Sequence, residues 1–264
     1  MCSKSFIYNQ FRNINIELDE NQINQFYDFY QMIVEKNKVV NLTAITEFED
    51  VVIKHFVDSV LIAKIEDISK KLELNHFFND QLSDDDHHKL VQNSTVNVID
   101  VGTGAGFPGI PLKIVYPHIH ITLLDSLNKR IQFLNDVVSQ LGLKDVSCIH
   151  GRAEDYGSDF AYREQYDLCV SRAVANLSTL SEYCVPFIKV GGSFISYKSA
   201  GVSDEVKHVK DAMKKLNCTI DDVKNLELIH KEEVYQRNFV IIVKNKKLDK
   251  KYPRKAGVPS RNPL

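Results

Sequence analysis

Four glycines fall within Gly102-Thr103-Gly104-Ala105-Gly106-Phe107-Pro108-Gly109, with Asp100 just before the run and Asp125 further along the chain. Glycines in that density let a backbone turn approach a nucleotide-like ligand, because a Cβ would block either the turn or the contact. A carboxylate at the end of the next strand can accept the hydroxyls of a ribose. Read from Gly104, the run satisfies G-x-G-x-x-G, the dinucleotide pattern, which is weak on its own. Read from Gly102 it is G-x-G-x-G preceded by an acidic residue, the arrangement of proteins that bind S-adenosylmethionine. Pro108 and Pro111 separate the two. A pyrophosphate draws on N–H groups at a helix N-terminus, and proline has none to give. The sequence therefore favours S-adenosylmethionine over a dinucleotide.

These residues need a scaffold. Val96, Val98, Ile99 and Val101 form a short apolar, β-branched run that reads as a buried parallel strand leading into the glycine turn. A second strand, residues 121–124, ends in Asp125. Residues 128–141 read as an amphipathic helix with Ile131, Leu134, Val138 and Leu141 on one face and Gly142 as its stop. A third strand over 146–150 leads into Gly151-Arg152-Ala153-Glu154-Asp155, and a fourth over 167–171 delivers Arg172 just past its end. A helix over 178–188, a turn at Gly191-Gly192, a strand over 193–198 and a helix over 203–216 follow. Residues 226–230 and 238–244 are expected to close the sheet as an antiparallel pair. Alternating strands and helices imply a parallel sheet with right-handed crossovers.

The flanks differ from this core. Asp19-Glu20-Asn21-Gln22 predicts a capping box, followed by Ile23, Phe26, Tyr27, Tyr30, Ile33 and Val34 in one apolar stripe. A second stripe holds Phe48, Val52, His55, Phe56, Ser59, Val60 and Ala63. His55 is read as packed at a helix interface in preference to forming a functional pair with Asp58. The division expected is a helical extension over 1–70, a polar connection over 71–95, a catalytic domain over 96–245 and a basic tail over 246–264. Asp84-Asp85-Asp86-His87-His88 is read as a solvated loop and not a metal site, since adjacent residues rarely converge on one ion. The tail combines eight basic residues from Lys244 onward with one acidic residue, Asp249. Pro253, Gly257, Pro259 and Pro263 predict an extended path, suited to following a phosphate backbone.

The whole chain has 264 residues, 44% hydrophobic and 26% charged, with a net charge of −2. Such a balance gives no global attraction to nucleic acid, so any affinity for RNA must come from local patches. No apolar run reaches the roughly 18 residues of a membrane span, and the first residues lack the apolar core of a signal peptide. The five cysteines are odd in number and show no C-x-x-C spacing. A reduced, cytoplasmic protein without metal is expected.

Together, VIDVGTGAGFPGIPL (98–112), LLDSLNKR (123–130), GRAED (151–155), SRAVANL (171–177), YPRKAGVPSRNPL (252–264), NLTAI (41–45) and KHFVDS (54–59) resemble the RsmG (GidB) family. Its members are bacterial methyltransferases acting on N7 of a guanine in 16S ribosomal RNA. The polar stretch over 73–93 is longer than the family's usual connection. The resemblance implies an α/β fold, the class I S-adenosylmethionine-dependent methyltransferase (Rossmann-like) sheet with helices on both faces, preceded by the N-terminal helical extension. It also implies that Gly102 and Phe107 line the cofactor turn, that Asp125, Ser126 and Leu127 hold the ribose and adenine edge, and that Ala153 and Glu154 flank the adenine. Arg172 would meet both cofactor and RNA. Guanine N7 carries a lone pair at neutral pH, so no catalytic acid or base is expected, only positioning. Lys129, Arg152, Arg172, Lys198 and Arg237 are the residues expected to hold 16S ribosomal RNA or a small-subunit ribonucleoprotein. The alternatives are a small-molecule methyltransferase, a non-catalytic RNA-binding module that responds to the cofactor, and a dinucleotide oxidoreductase.

Overall fold

The computed structural model describes residues 3–73, 95–172, 175–199 and 201–264. The Asp84–His88 run and most of the connecting segment lie outside them.

Five strands begin the sheet: β1 (Asn97–Val101), β2 (His120–Asp125), β3 (Val146–His150), β4 (Tyr166–Ser171) and β5 (Ile188–Lys198). β6 (Cys218–His230) and β7 (Glu233–Lys244) complete it, in the order β3-β2-β1-β4-β5-β7-β6. β1 to β5 pair in parallel, while β7 enters antiparallel between β5 and β6. The order reverses between β1 and its neighbours β2 and β4, which opens a crevice at the strand C-termini. Alternation along each strand sends Val98 to one core and Ile99 and Val101 to another, so the sheet is covered on both faces.

One face is covered by the N-terminal helices α1 (Ser3–Arg12) and α2 (Glu20–Asn37). The predicted capping box is present, with Gln22 N–H donating to Asp19 Oδ1 at 2.7 Å and Asp19 N–H to Gln22 Oε1 at 3.0 Å. Of the predicted stripe, Phe26 and Ile33 are buried, together with Phe29, and Ile23, Tyr27 and Tyr30 pack around them. The second stripe begins as α3 (Phe48–Val51), widens into a π-helical turn over Val52–Val57, and resumes as α4 (Asp58–Val60). Such turns often mark functional sites; this one carries His55 on its inner side.

Several elements depart from the sequence reading. Glu66–Glu73 forms a helix, α5, that runs past the boundary expected at residue 70 into the segment read as a polar connection. Only Ile68 and Leu72 of it are buried, too few apolar positions to stand out among its charges. Gly191-Gly192 lies inside β5, where the β4 pairing jumps from Tyr166↔Ile188 to Leu168↔Ser193 and the extra residues are absorbed. The helix expected over 203–216 is two, Val202–His208 and Lys210–Lys215. β6 starts eight residues earlier than its apolar part, because its first half pairs only with β7 and can remain polar. Among the described residues, no helix is long and apolar enough to cross a membrane. None of their His, Cys, Asp or Glu side chains gather into a group able to hold a metal ion.

Candidate active site

Asp100 is fully buried beneath the glycine turn and ties both of its ends. Its Oδ2 accepts from the Thr103 hydroxyl at 2.7 Å and from Gly109 N–H at 2.8 Å. Burial pushes its carboxyl up to about 7 against those two hydrogen bonds. Gly104 holds φ +62°, and a Cβ on Gly109 would land on the Leu123 side chain and on Asp100 Oδ2; both positions therefore require glycine. The helix that follows, Gly109–Val115, keeps no donor for a phosphate at its start. Gly109 N–H serves Asp100, Ile110 N–H serves Gly106 O, and Pro108 and Pro111 have none. A pyrophosphate would find no donors there.

A cavity of about 520 Å³ opens beside the turn, lined by Gly102, Asp125, Ser126, Leu127, Arg152, Ala153 and Glu154 among others. Asp125 is buried at the end of β2. Its Oδ1 accepts from Leu127 N–H (2.8 Å), and its Oδ2 from Gly104 N–H (2.9 Å) and Arg130 Nη1 (3.3 Å). A carboxylate has about four lone-pair sites, so capacity for a ribose hydroxyl remains. Leu127 is half exposed over the opening, an apolar surface for a base to lie against. Leu180 and Tyr183, with Gly257 and Ser260 of the C-terminal segment, also line the cavity.

On the other side of the turn, Arg172 lies over the Phe107 ring at 5.0 Å, and the His55 ring stacks on Phe107 at 4.5 Å. Asp58, almost wholly buried, holds two guanidiniums at once: Arg172 Nη1 at 3.0 Å and Arg237 Nε at 2.6 Å. Arg172 Nη2 lies 3.3 Å from His55 Nδ1. Arginine can only donate, so Nδ1 accepts and the proton sits on Nε2, which faces Thr43 Oγ1 at 2.8 Å. Burial and the adjacent Arg172 together push His55 down to about 3, so it is neutral.

The structure thus gathers Gly102, Asp125, Ser126, Leu127, Ala153, Glu154 and Arg152 around one cavity. Phe107 and Arg172 instead belong to the neighbouring cluster with His55, and Arg237 joins them through Asp58. Lys129 is exposed in the first turn of the helix Asn128–Gln140, next to Leu127. Lys198 stands apart, donating to Glu205 Oε2 at 2.8 Å and to Ala175 O at 2.7 Å. Sequence reasoning missed Leu180 and Tyr183, which carry no motif, and read Gly257 and Ser260 as part of an RNA-following tail and not as cavity lining. It read His55 as packed at a helix interface in preference to pairing with Asp58; His55 does stack on Phe107, and both residues also contact Arg172, far away in sequence, which nothing local signals.

Filled donors at the helix start exclude a dinucleotide and leave S-adenosylmethionine as the ligand that suits this cradle. A parallel sheet with one reversed strand beside β5 completes the plan of a class I S-adenosylmethionine-dependent methyltransferase. Comparison with known proteins narrows the class. The chain belongs to the rRNA small subunit methyltransferase G (GidB) family, whose model matches residues 22–80 and 68–239. It is similar to the Ribosomal RNA small subunit methyltransferase G of Clostridium botulinum (strain Loch Maree / Type A3), 43% identical over 252 residues, covering 96% of this chain and 95% of that one. The protein of that name from Leuconostoc citreum (strain KM20) is 41% identical over 264 residues, 100% of both chains. That from Acetivibrio thermocellus is 43% identical over 249 residues, 94% of this chain and 91% of its own.

Proposed function

We propose that this chain transfers the methyl group of S-adenosylmethionine to N7 of a guanine in 16S ribosomal RNA. The observation that carries the reading is the glycine turn: the helix after it starts with no donor left for a phosphate, Asp125 lines the cavity beside it, and Arg172 stacks on its Phe107. Bound cofactor supplies a methyl group on a positively charged sulfonium. Gly102, Asp125, Ser126, Leu127, Ala153 and Glu154 hold it, with Asp125 on the ribose and Glu154 on the adenine edge. Phe107 acts from below the turn, as the ring on which Arg172 and His55 are stacked.

Guanine N7 presents a lone pair without losing a proton, so the enzyme needs alignment and exclusion of water more than a base. The surrounding groups agree with that need. His55 is neutral, its Nδ1 already faces Arg172, and Asp100 is sealed under the turn. Arg172 and Arg237, fixed by the single carboxylate of Asp58, retain net positive charge that Arg172 can direct at the guanine O6. Lys129 and Arg152 extend that field along the rim. Lys198 would add to it only by leaving Glu205. The setting of the reaction is the cytoplasm, where ribosomal RNA is assembled, and the substrate is the RNA itself or its small-subunit particle.

The test is methyl transfer from labelled cofactor to small-subunit ribosomal RNA lacking its methylations, with the product nucleoside identified by mass. 7-Methylguanosine at one site is expected. Label in another nucleoside, or none in either naked RNA or subunits, would overturn the reading.

A further inference from the structure

The C-terminal segment was expected to be a basic, extended tail following a phosphate backbone. It is folded onto the body of the protein. Arg254 grips Glu182 through its backbone N–H (2.8 Å), Nε (2.9 and 3.1 Å) and Nη2 (2.6 Å), and Glu182 has no exposed surface. A buried carboxylate is tolerable only when paired and hydrogen-bonded, so Glu182 requires the segment to be in place. Arg163 adds Nη1 bonds to Tyr252 O (2.7 Å) and Gly157 O (2.8 Å) and an Nη2 bond to Leu248 O (3.2 Å). Thr179 Oγ1 donates to Pro259 O at 3.0 Å, and Ser178 Oγ to Leu264 O at 2.9 Å.

This docking brings Gly257 and Ser260 into the lining of the cavity, with Gly257 against the Ala153-Glu154 segment. Gly257 N–H donates to Glu154 Oε1 at 2.8 Å. One oxygen of Glu154 is thereby fixed, and its other oxygen is left to accept from an exocyclic amine. We infer that residues 254–260 form the adenine-side wall of the cofactor pocket and orient Glu154, so that cofactor affinity depends on Arg254 holding this segment against Glu182. The inference rests on the cavity being the S-adenosylmethionine site. Ser260 is a contact residue in it, while Arg254, Glu182 and Gly257 are positioning residues that act through Glu154 and the wall.

The experiment is calorimetric titration with S-adenosylhomocysteine and, separately, with adenosine. The variants are Ser260→Leu, which fills the wall, and the pair Arg254→Ala with Glu182→Gln, which undocks the segment without leaving a buried unpaired charge. Asp125→Ala serves as the reference. About tenfold weaker binding of both ligands is expected for each wall variant, with the defect in turnover falling on KM for the cofactor. In the Glu182 background, Arg254→Lys should recover part of the loss. If the paired variant does not fold, as judged by its melting transition, Ser260→Leu decides. Binding within twofold of wild type in the wall variants, with Asp125→Ala impaired, would overturn the wall and leave the cofactor site standing. Unchanged binding in Asp125→Ala as well would instead overturn the site itself.

Discussion

Burial drives Asp100 and His55 in opposite directions, and the two should oppose each other in the pH dependence of stability. Asp100 is raised to about 7 in the folded protein from an ordinary value of 3.8. Its contribution is therefore present below 3.8 and is lost as pH rises through about 7. His55 is lowered to about 3 from 6.5. Its contribution is present above 6.5 and is lost as pH falls through about 3. Each single-proton slope is at most about 1.4 kcal/mol per pH unit, so between about 4 and 6.5 they largely cancel. Asp100→Asn should leave a protein whose stability rises across that window, and His55→Gln one whose stability falls. Urea midpoints of both variants at pH 4.5 and 6.5 check this; parallel shifts in the two would refute it. Asp58 belongs to the same neighbourhood. Asp58→Ala leaves Arg172 and Arg237 facing each other without an anion, each about 20% exposed. A loss of about 2–3 kcal/mol is expected, below the 3–5 of a fully buried pair because water still reaches both guanidiniums. Methyl transfer should fall at least tenfold while S-adenosylhomocysteine affinity stays within twofold. Equal losses in both would move Arg172 into the cofactor site.

Helix α2 shows how an element can be legible at one end of its contacts and hidden at the other. Asp19 to Gln22 announces a capping box because the interaction is local. Gln22 does more: its Nε2 also donates to Ile114 O at 2.8 Å and Val115 O at 3.2 Å, at the C-terminal end of the helix that follows the glycine turn. Gln25 does the same for Leu141 O at 2.9 Å, beyond the end of the helix Asn128–Gln140. The extension thus caps two helices of the sheet domain as well as covering it. Asp19→Ala should cost about 1 kcal/mol. Gln22→Ala should cost about twice that, since it also leaves carbonyls of the second helix without their donor. Thermal melts of the two single variants rank them, and an equal loss would deny the second role. The same reasoning explains the C-terminal segment. Strands β1 to β4 and the turn between β1 and its helix were readable because their apolar runs and glycines are local signals. The Arg254–Glu182 pair spans 72 residues, and a stretch rich in Pro, Gly and Lys looks solvated until its partner is known. Lys244 is likewise not a tail charge but a buried one, 2.7 Å from Glu164 Oε1.

At the scale of the whole molecule, a chain of net charge −2 must bind RNA through a limited set of cations, and the structure sorts them by whether they are already occupied. Lys129 and Arg152 are exposed at the rim of the cavity, and Lys246, Lys247, Lys250, Lys255 and Arg261 are exposed on the docked C-terminal segment. Lys198 is bonded to Glu205 and only 10% exposed, and Arg237 is bound to Asp58. A cation that meets a phosphate releases counterions, and its removal flattens the plot of log affinity against log salt by about 0.7 for single strands and 0.9 for duplex. Lys129→Ala and Arg152→Ala should each flatten that plot by about this amount, with cofactor affinity retained in Lys129→Ala. Lys198→Ala should leave the slope unchanged, because its ammonium would have to abandon a carboxylate to reach the RNA. Arg237→Ala should reduce turnover through Asp58 and Arg172 while moving the slope by less than half a unit. Equilibrium binding to small-subunit ribosomal RNA at several salt concentrations separates these outcomes. If Lys198→Ala flattened the slope as much as Lys129→Ala, the Glu205 pair would have to open on binding, and the RNA surface would extend past β5 to the helix Val202–His208.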